Sequence, residues 1–145
     1  MEIIVIVNIT MLDCGFLELE HTADWALQVW APDNTSLLVT AAKGMYSLLK
    51  IKTDANEYQN IVLRIDILDY EGLLVDFLSE LILLGELENI AAVNYDLKLE
   101  NSQLIAKIQA AKILSQQKEI KAVTYHNLKI IRAENRLETV IIFDV

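Results

Sequence analysis

The chain has 145 residues, a common length for a single domain with one core, and no Pro-, Gly- or Ser-rich stretch or internal repeat divides it. Twelve basic against twenty-one acidic side chains leave a formal net charge of −9, the wrong sign for gripping phosphate backbones, so direct nucleic-acid binding is not expected. Cys14 is the single cysteine, Glu2 stands where a secretory signal would place a basic residue, and the apolar runs 3–7 and 81–84 fall far short of a span. A bilayer needs roughly 20 apolar residues, so the expectation is a soluble protein of the reducing cytoplasm, with no membrane partner.

Residues 1–15 mix a β-branched run with turn formers and read as an N-terminal extension or an extra strand ahead of a domain over 16–145. Phe16, Leu17 and Leu19 suggest a short strand over 16–20, and residues 25–30 alternate as Trp25, Leu27, Val29 against Ala26, Gln28, Trp30. Pro32-Asp33-Asn34 breaks that strand, and Asn34 or Thr35 is placed to cap a helix. Leu38, Ala41, Ala42, Met45 and Leu48 then recur at helical spacing, with small residues in the middle that let the helix lie close on a sheet.

Residues 57–68 set Ile61, Leu63, Ile65 and Ile67 against Val62, Arg64 and Asp66, the pattern of a strand with one mostly buried face. A second helix follows over 71–87, its apolar stripe made by Leu74, Phe77, Leu78, Leu81 and Leu84. Residues 91–100 and 103–113 alternate about Asn101-Ser102, a hairpin turn, and residues 120–131 and 137–143 form a second pair about Glu134-Asn135-Arg136. The order predicts an α+β fold, two helices packed on a mainly antiparallel β-sheet.

Catalytic signatures are mostly absent: no Gly-rich phosphate loop, no Cys-x-x-Cys, no Gly-x-Ser-x-Gly, and two histidines, His21 and His126. Hard oxygen ligands are the remaining option for a metal. His21-Thr22-Ala23-Asp24 is a polar step between two strands. At the other end, Val140-Ile141-Ile142-Phe143 reads as a buried strand that stops at Asp144-Val145, where a loose tail is more usual. If Asp24 met Asp144 and the terminal carboxylate, unit charges about 4 Å apart would repel by about 4 kcal/mol at an effective dielectric near 20. Such a corner keeps a proton or binds a cation. Spacing alone does not bring the two ends together.

Five blocks in order resemble the archease family: Glu20-His21-Thr22-Ala23-Asp24-Trp25, Ala41-Ala42-Lys43-Gly44-Met45, Leu73-Leu74-Val75-Asp76-Phe77-Leu78-Ser79-Glu80, Lys121-Ala122-Val123-Thr124-Tyr125-His126, and Ile141-Ile142-Phe143-Asp144-Val145. The resemblance implies an archease-like fold and an accessory protein, not itself an enzyme, that activates a GTP-dependent RtcB-type RNA ligase in tRNA splicing or RNA repair. The activity it implies is promotion of ligase guanylylation and multiple-turnover ligation. It further implies a divalent cation, calcium foremost with magnesium or manganese as alternatives, held by Asp24, Asp144 and the terminal residue Val145. Two departures stand out: residues 1–15 have no clear counterpart in the family, and the loop 114–119 is Gln-rich where relatives usually place Gly and Glu.

Lys121 is either a contact to the ligase or its nucleotide phosphates or a plain solvated strand lysine. His21 either orients Asp24 or is a structural histidine at a strand end, and His126 has no catalytic part. The acidic run Asp69, Glu71, Asp76, Glu80 reads as the wet face of a helix. A rival function is a chaperone-like modulator of another RNA enzyme such as a tRNA methyltransferase. A metal-dependent hydrolase is weaker, because no general base with a convincing partner is visible.

Overall fold

The computed structural model describes residues 13–19 and 24–145; the expectations for residues 1–12 and for His21 lie outside them. Gly15–Leu19 (β1) and Trp25–Ala31 (β2) form an antiparallel pair that feeds helix α1, Asn34–Leu49. Asp33, with φ −147° and ψ 174°, caps α1: its carboxylate accepts the Ser36 N–H at 2.9 Å and the Thr35 hydroxyl at 3.0 Å. The cap therefore sits one residue before Asn34 and two before Thr35, the residues expected to fill it, because Asp33 is the one with extended backbone and a carboxylate in reach of the first free N–H groups. Lys50, at φ 53°, ends the helix.

Lys52–Thr53 (β3), which carries no sequence pattern of its own, and Gln59–Asp66 (β4) lead to helix α2, Tyr70–Glu88. Asp69 caps it by accepting the Gly72 N–H at 2.6 Å, and Glu71 in the first turn accepts the Ile130 N–H at 3.0 Å. Tyr125 donates its hydroxyl to Asp76 at 3.3 Å. Three of the four acidic residues expected to form a wet helix face thus hold structure in place. Among the described residues no helix is long and apolar enough to cross a membrane.

Ile90–Glu100 (β5) and Gln103–Ser115 (β6) form the expected hairpin, with Asn101 and Ser102 both at positive φ in its turn. The 120–131 segment, expected as one strand, is two: Ala122–Thr124 (β7) and Ile131–Ala133 (β8), both paired with Arg136–Asp144 (β9). Between them Asn127 takes a positive φ in a turn that the Leu128 N–H closes by donating to the Tyr125 carbonyl at 3.1 Å, and that turn interrupts the strand. Among the described residues all pairings are antiparallel, but the strands make two sheets where one was expected. One runs β1-β2-β9-β7 with β8 on β9, the other β3-β6-β4 with β5 on β6.

Both helices bury their apolar faces against these sheets. Leu27, Val29, Ile141 and Phe143 meet them from the five-stranded sheet and Leu104, Ala106 and Ile108 from the other, all essentially inaccessible. At Gly44 α1 comes so close that a Cβ would stand 2.6 Å from Leu27 Cδ2, as expected for small residues in the middle of that helix. The register of β5 shifts between Ala92 and Asn94. There the Ala92 N–H donates to the Tyr46 hydroxyl of α1 at 3.1 Å, and the Tyr95 hydroxyl donates to the Ala92 carbonyl at 3.3 Å. Burial pushes the Tyr46 hydroxyl up to about 12, and burial followed by the neighbouring Tyr46 pushes Tyr95 up as well.

Candidate functional site

The five-stranded sheet brings the two ends of the domain to one edge. Seven consecutive pairs join β2 to β9, the last being Trp25 with Phe143. Asp24 is the residue just before β2, in a bend, and Asp144 is the last residue of β9, so both aspartates lie at this end of the sheet. Phe143 is fully buried against the helices, and side chains alternate along a strand, so Asp144 turns to the outer face, where it is exposed while Asp24 is half-buried.

On its other side β9 is held by β7. Ala122 pairs with Asp144, and the Lys121 N–H donates to the Asp144 carbonyl at 2.8 Å. Asp144 is therefore fixed at its main chain between two strands while its carboxylate stays outside. Lys121 lies one step beyond Ala122, the continued-register position opposite Val145, and is itself exposed. Asp24, Asp144, Val145 and Lys121 come from three adjacent strands at one sheet end, and His21 lies outside the described residues.

Sequence reasoning missed a second lysine. The Lys118 ammonium lies 4.9 Å from the centroid of the Trp25 ring, and its backbone N–H donates to the Leu49 carbonyl at 3.3 Å. Trp25 follows Asp24 directly and signals that an aromatic flanks the site, but no spacing rule connects residue 118 to residue 25. His126 is exposed and its ring meets the Asn127 amide.

Two carboxylates at one sheet end offer hard oxygen donors, and if they approach they repel each other unless a cation or a proton intervenes. Among the described residues no three His, Cys, Asp or Glu side chains gather as a metal-holding group; the expected set has two such side chains, its third ligand being a main-chain carboxylate. The donor set is all oxygen, which suits calcium, magnesium or manganese rather than zinc.

A family model described as the archease protein family matches residues 16–145. The archease of Methanopyrus kandleri is 30% identical over 127 residues, covering 82% of this chain and 91% of that protein. That of Methanosarcina barkeri is 30% identical over 138 residues, covering 88% and 93%. A crystal structure from Thermotoga maritima, described as an archease and possible chaperone, superposes with a TM-score of 0.69 at 28% identity over 88% of this chain and 94% of that one. The solution structure of protein 1598 from Methanobacterium thermoautotrophicum shares the fold, with a TM-score of 0.69 at 21% identity over 90% and 99%.

Proposed function

The chain belongs to the archease family, and from that premise we propose that it is an accessory protein that binds a divalent cation and activates an RtcB-type RNA ligase in tRNA splicing or RNA repair. In this reading it is not an enzyme; it promotes guanylylation of the ligase and so allows multiple turnovers. The observation that supports the reading is the β2–β9 pairing, which ends at Trp25 and Phe143 and so brings Asp24 and Asp144 to the same sheet end. Asp24, Asp144 and the terminal carboxylate of Val145 hold the ion, calcium foremost, with magnesium or manganese as alternatives.

When bound, the ion supplies positive charge to an otherwise anionic corner and so a contact for phosphate oxygens. The chain's own residues supply rigidity. Lys121 fixes the Asp144 main chain, and its side chain, exposed among the described residues, meets the ligase or its nucleotide as a compact positive charge. Lys118 covers the Trp25 ring next to Asp24. The net charge of −9 suits docking on a basic enzyme and no direct grip on nucleic acid.

A second reading, a chaperone-like modulator of another RNA enzyme such as a tRNA methyltransferase, draws on the description of the Thermotoga maritima relative as a possible chaperone. A multiple-turnover ligation assay with purified ligase, GTP, metal and broken RNA separates the two. Added protein raises both turnover and guanylate loading if the first reading holds; no change in either contradicts it.

A further inference from the structure

The four-stranded sheet has two long edges, β4 and β5, each paired among the described residues with β6 alone. An unpaired edge is a template for another strand unless it is short, irregular or guarded by charge. β5 is 11 residues long and contains no proline, and its one register shift lies near its start, between Ala92 and Asn94. Residues 94–100 are therefore a regular free edge.

The main chain there points the right way. Asn101 and Ser102, both at positive φ, make the two-residue turn of the β5–β6 hairpin, which closes on Glu100 and Gln103 as a hydrogen-bonded pair. Counting back from Glu100, Lys98, Asp96 and Asn94 turn their N–H and C=O groups to β6, so Leu99, Leu97 and Tyr95 turn theirs to the open edge. The side chains alternate as well: Asn94, Asp96, Lys98 and Glu100 are exposed, whereas Tyr95, Leu97 and Leu99 are half-buried against the core.

The exposed row is complementary to itself read backwards. With two β5 strands antiparallel about Leu97, Asp96 faces Lys98 of the partner subunit and Asn94 faces Glu100 of the partner subunit, each twice by the two-fold axis. The Asp96–Lys98 pairs are then of the non-hydrogen-bonded kind, in which side chains come closest. Other registers fit less well. Centring on Asp96 or on Lys98 opposes like charges, and centring on Tyr95 leaves Asp96 and Lys98 unmatched. Centring on Leu99 sets Lys98 against Glu100 but runs off the strand with three residues paired, as does matching Arg64 with Asp66 about Ile65 on β4. Charge guards an edge when it mismatches; here it selects one register.

We propose that β5 is a dimerisation edge, at which two copies of this chain join antiparallel about Leu97 into one continuous eight-stranded sheet, four strands from each. Tyr95, Leu97 and Leu99 continue the apolar layer across the junction. The Asp24–Asp144 corner lies in the other sheet, so this inference stands apart from the function proposed above.

Sedimentation equilibrium of the full-length chain tests it, with the thermal midpoint of each variant measured alongside. Asp96 and Lys98 are exposed, the Lys98 side chain by 69%, so replacing either leaves the midpoint near wild type. The wild type reaches the mass of two chains. Lys98→Glu opposes two carboxylates across the junction and Asp96→Lys two ammonium groups, so each alone dimerises at least about tenfold more weakly. Mixed in equal amounts, the two variants restore both opposite-charge pairs and form a heterodimer about as tight as the wild-type dimer, which damage to one chain's fold would not produce. A monomeric wild type, either variant dimerising alone as tightly as wild type, or a mixture no tighter than its components overturns the proposal.

Discussion

Trp25 and Phe143 are the last paired residues of β2 and β9, and the residue beyond each is an aspartate. Everything proposed for function depends on that relationship, because it joins positions 120 residues apart in sequence (144 − 24) at one end of one sheet. The sheet also explains why a substitution at Asp144 should spare the fold: the side chains that bury β2 and β9 are Leu27, Val29, Ile141 and Phe143, while Asp144 is exposed.

Asp24→Asn and Asp144→Asn each remove a charge with little change of shape. Either abolishes stimulation of multiple-turnover ligation, while the circular dichroism spectrum and thermal midpoint stay close to wild type. Full stimulation by either variant contradicts the shared-ion corner.

The terminal carboxylate of Val145 is tested by length. A single glycine appended after Val145 carries the carboxylate roughly 3.5 Å further along an extended chain and replaces it with an amide. Stimulation is lost, whereas a tag placed before Met1 is tolerated. Equal activity of the lengthened and native-length proteins removes Val145 from the ligand set.

The Tyr46 hydroxyl accepts the Ala92 N–H at the β5 register shift. Tyr46→Phe strands that donor, and an unsatisfied buried polar group costs about 1–3 kcal/mol, read as a lower urea midpoint. Alkali gives a second readout. The folded-state value of Tyr46 is raised from 10.0 to about 12 by burial, so its contribution is complete below pH 10 and is lost as pH rises towards 12. The variant lacks the Tyr46 part of that alkaline loss and keeps the Tyr95 part. An alkaline stability curve that Tyr46→Phe leaves unchanged contradicts this assignment.

Asp33→Ala removes the α1 cap, a loss of about 0.5–2 kcal/mol in comparable helices. The hydrogen bond from the Ser36 backbone holds the Asp33 carboxyl below its ordinary 3.8. Its contribution is therefore present above that value and lost as pH falls through the lower folded value. Chemical denaturation of wild type and variant at neutral and acid pH measures both; a gap between them that does not narrow in acid counts against the cap.

The helices were legible because Leu38, Ala41, Ala42 and Met45, and later Leu74, Phe77, Leu78 and Leu81, recur at helical spacing, and all are buried. The cap was misplaced by a residue or two because Asp33, Asn34 and Thr35 are all competent, and backbone angles, which sequence does not carry, decide among them. The 120–131 segment looked continuous because its apolar residues ignore the turn at Asn127. Two sheets replaced one because pairing partners are long-range choices, and alternation within a strand says nothing about its neighbour. At the site, family resemblance pointed to Asp24, Asp144 and Lys121, but Lys118 reaches Trp25 only through the path of the 116–121 segment.

The most direct measurement is calorimetric titration of calcium into the wild type and into the double variant Asp24→Asn with Asp144→Asn. The wild type takes up calcium in a single saturable step, and the double variant, still folded by circular dichroism, takes up none in the same range. Indistinguishable isotherms for the two proteins would contradict the account.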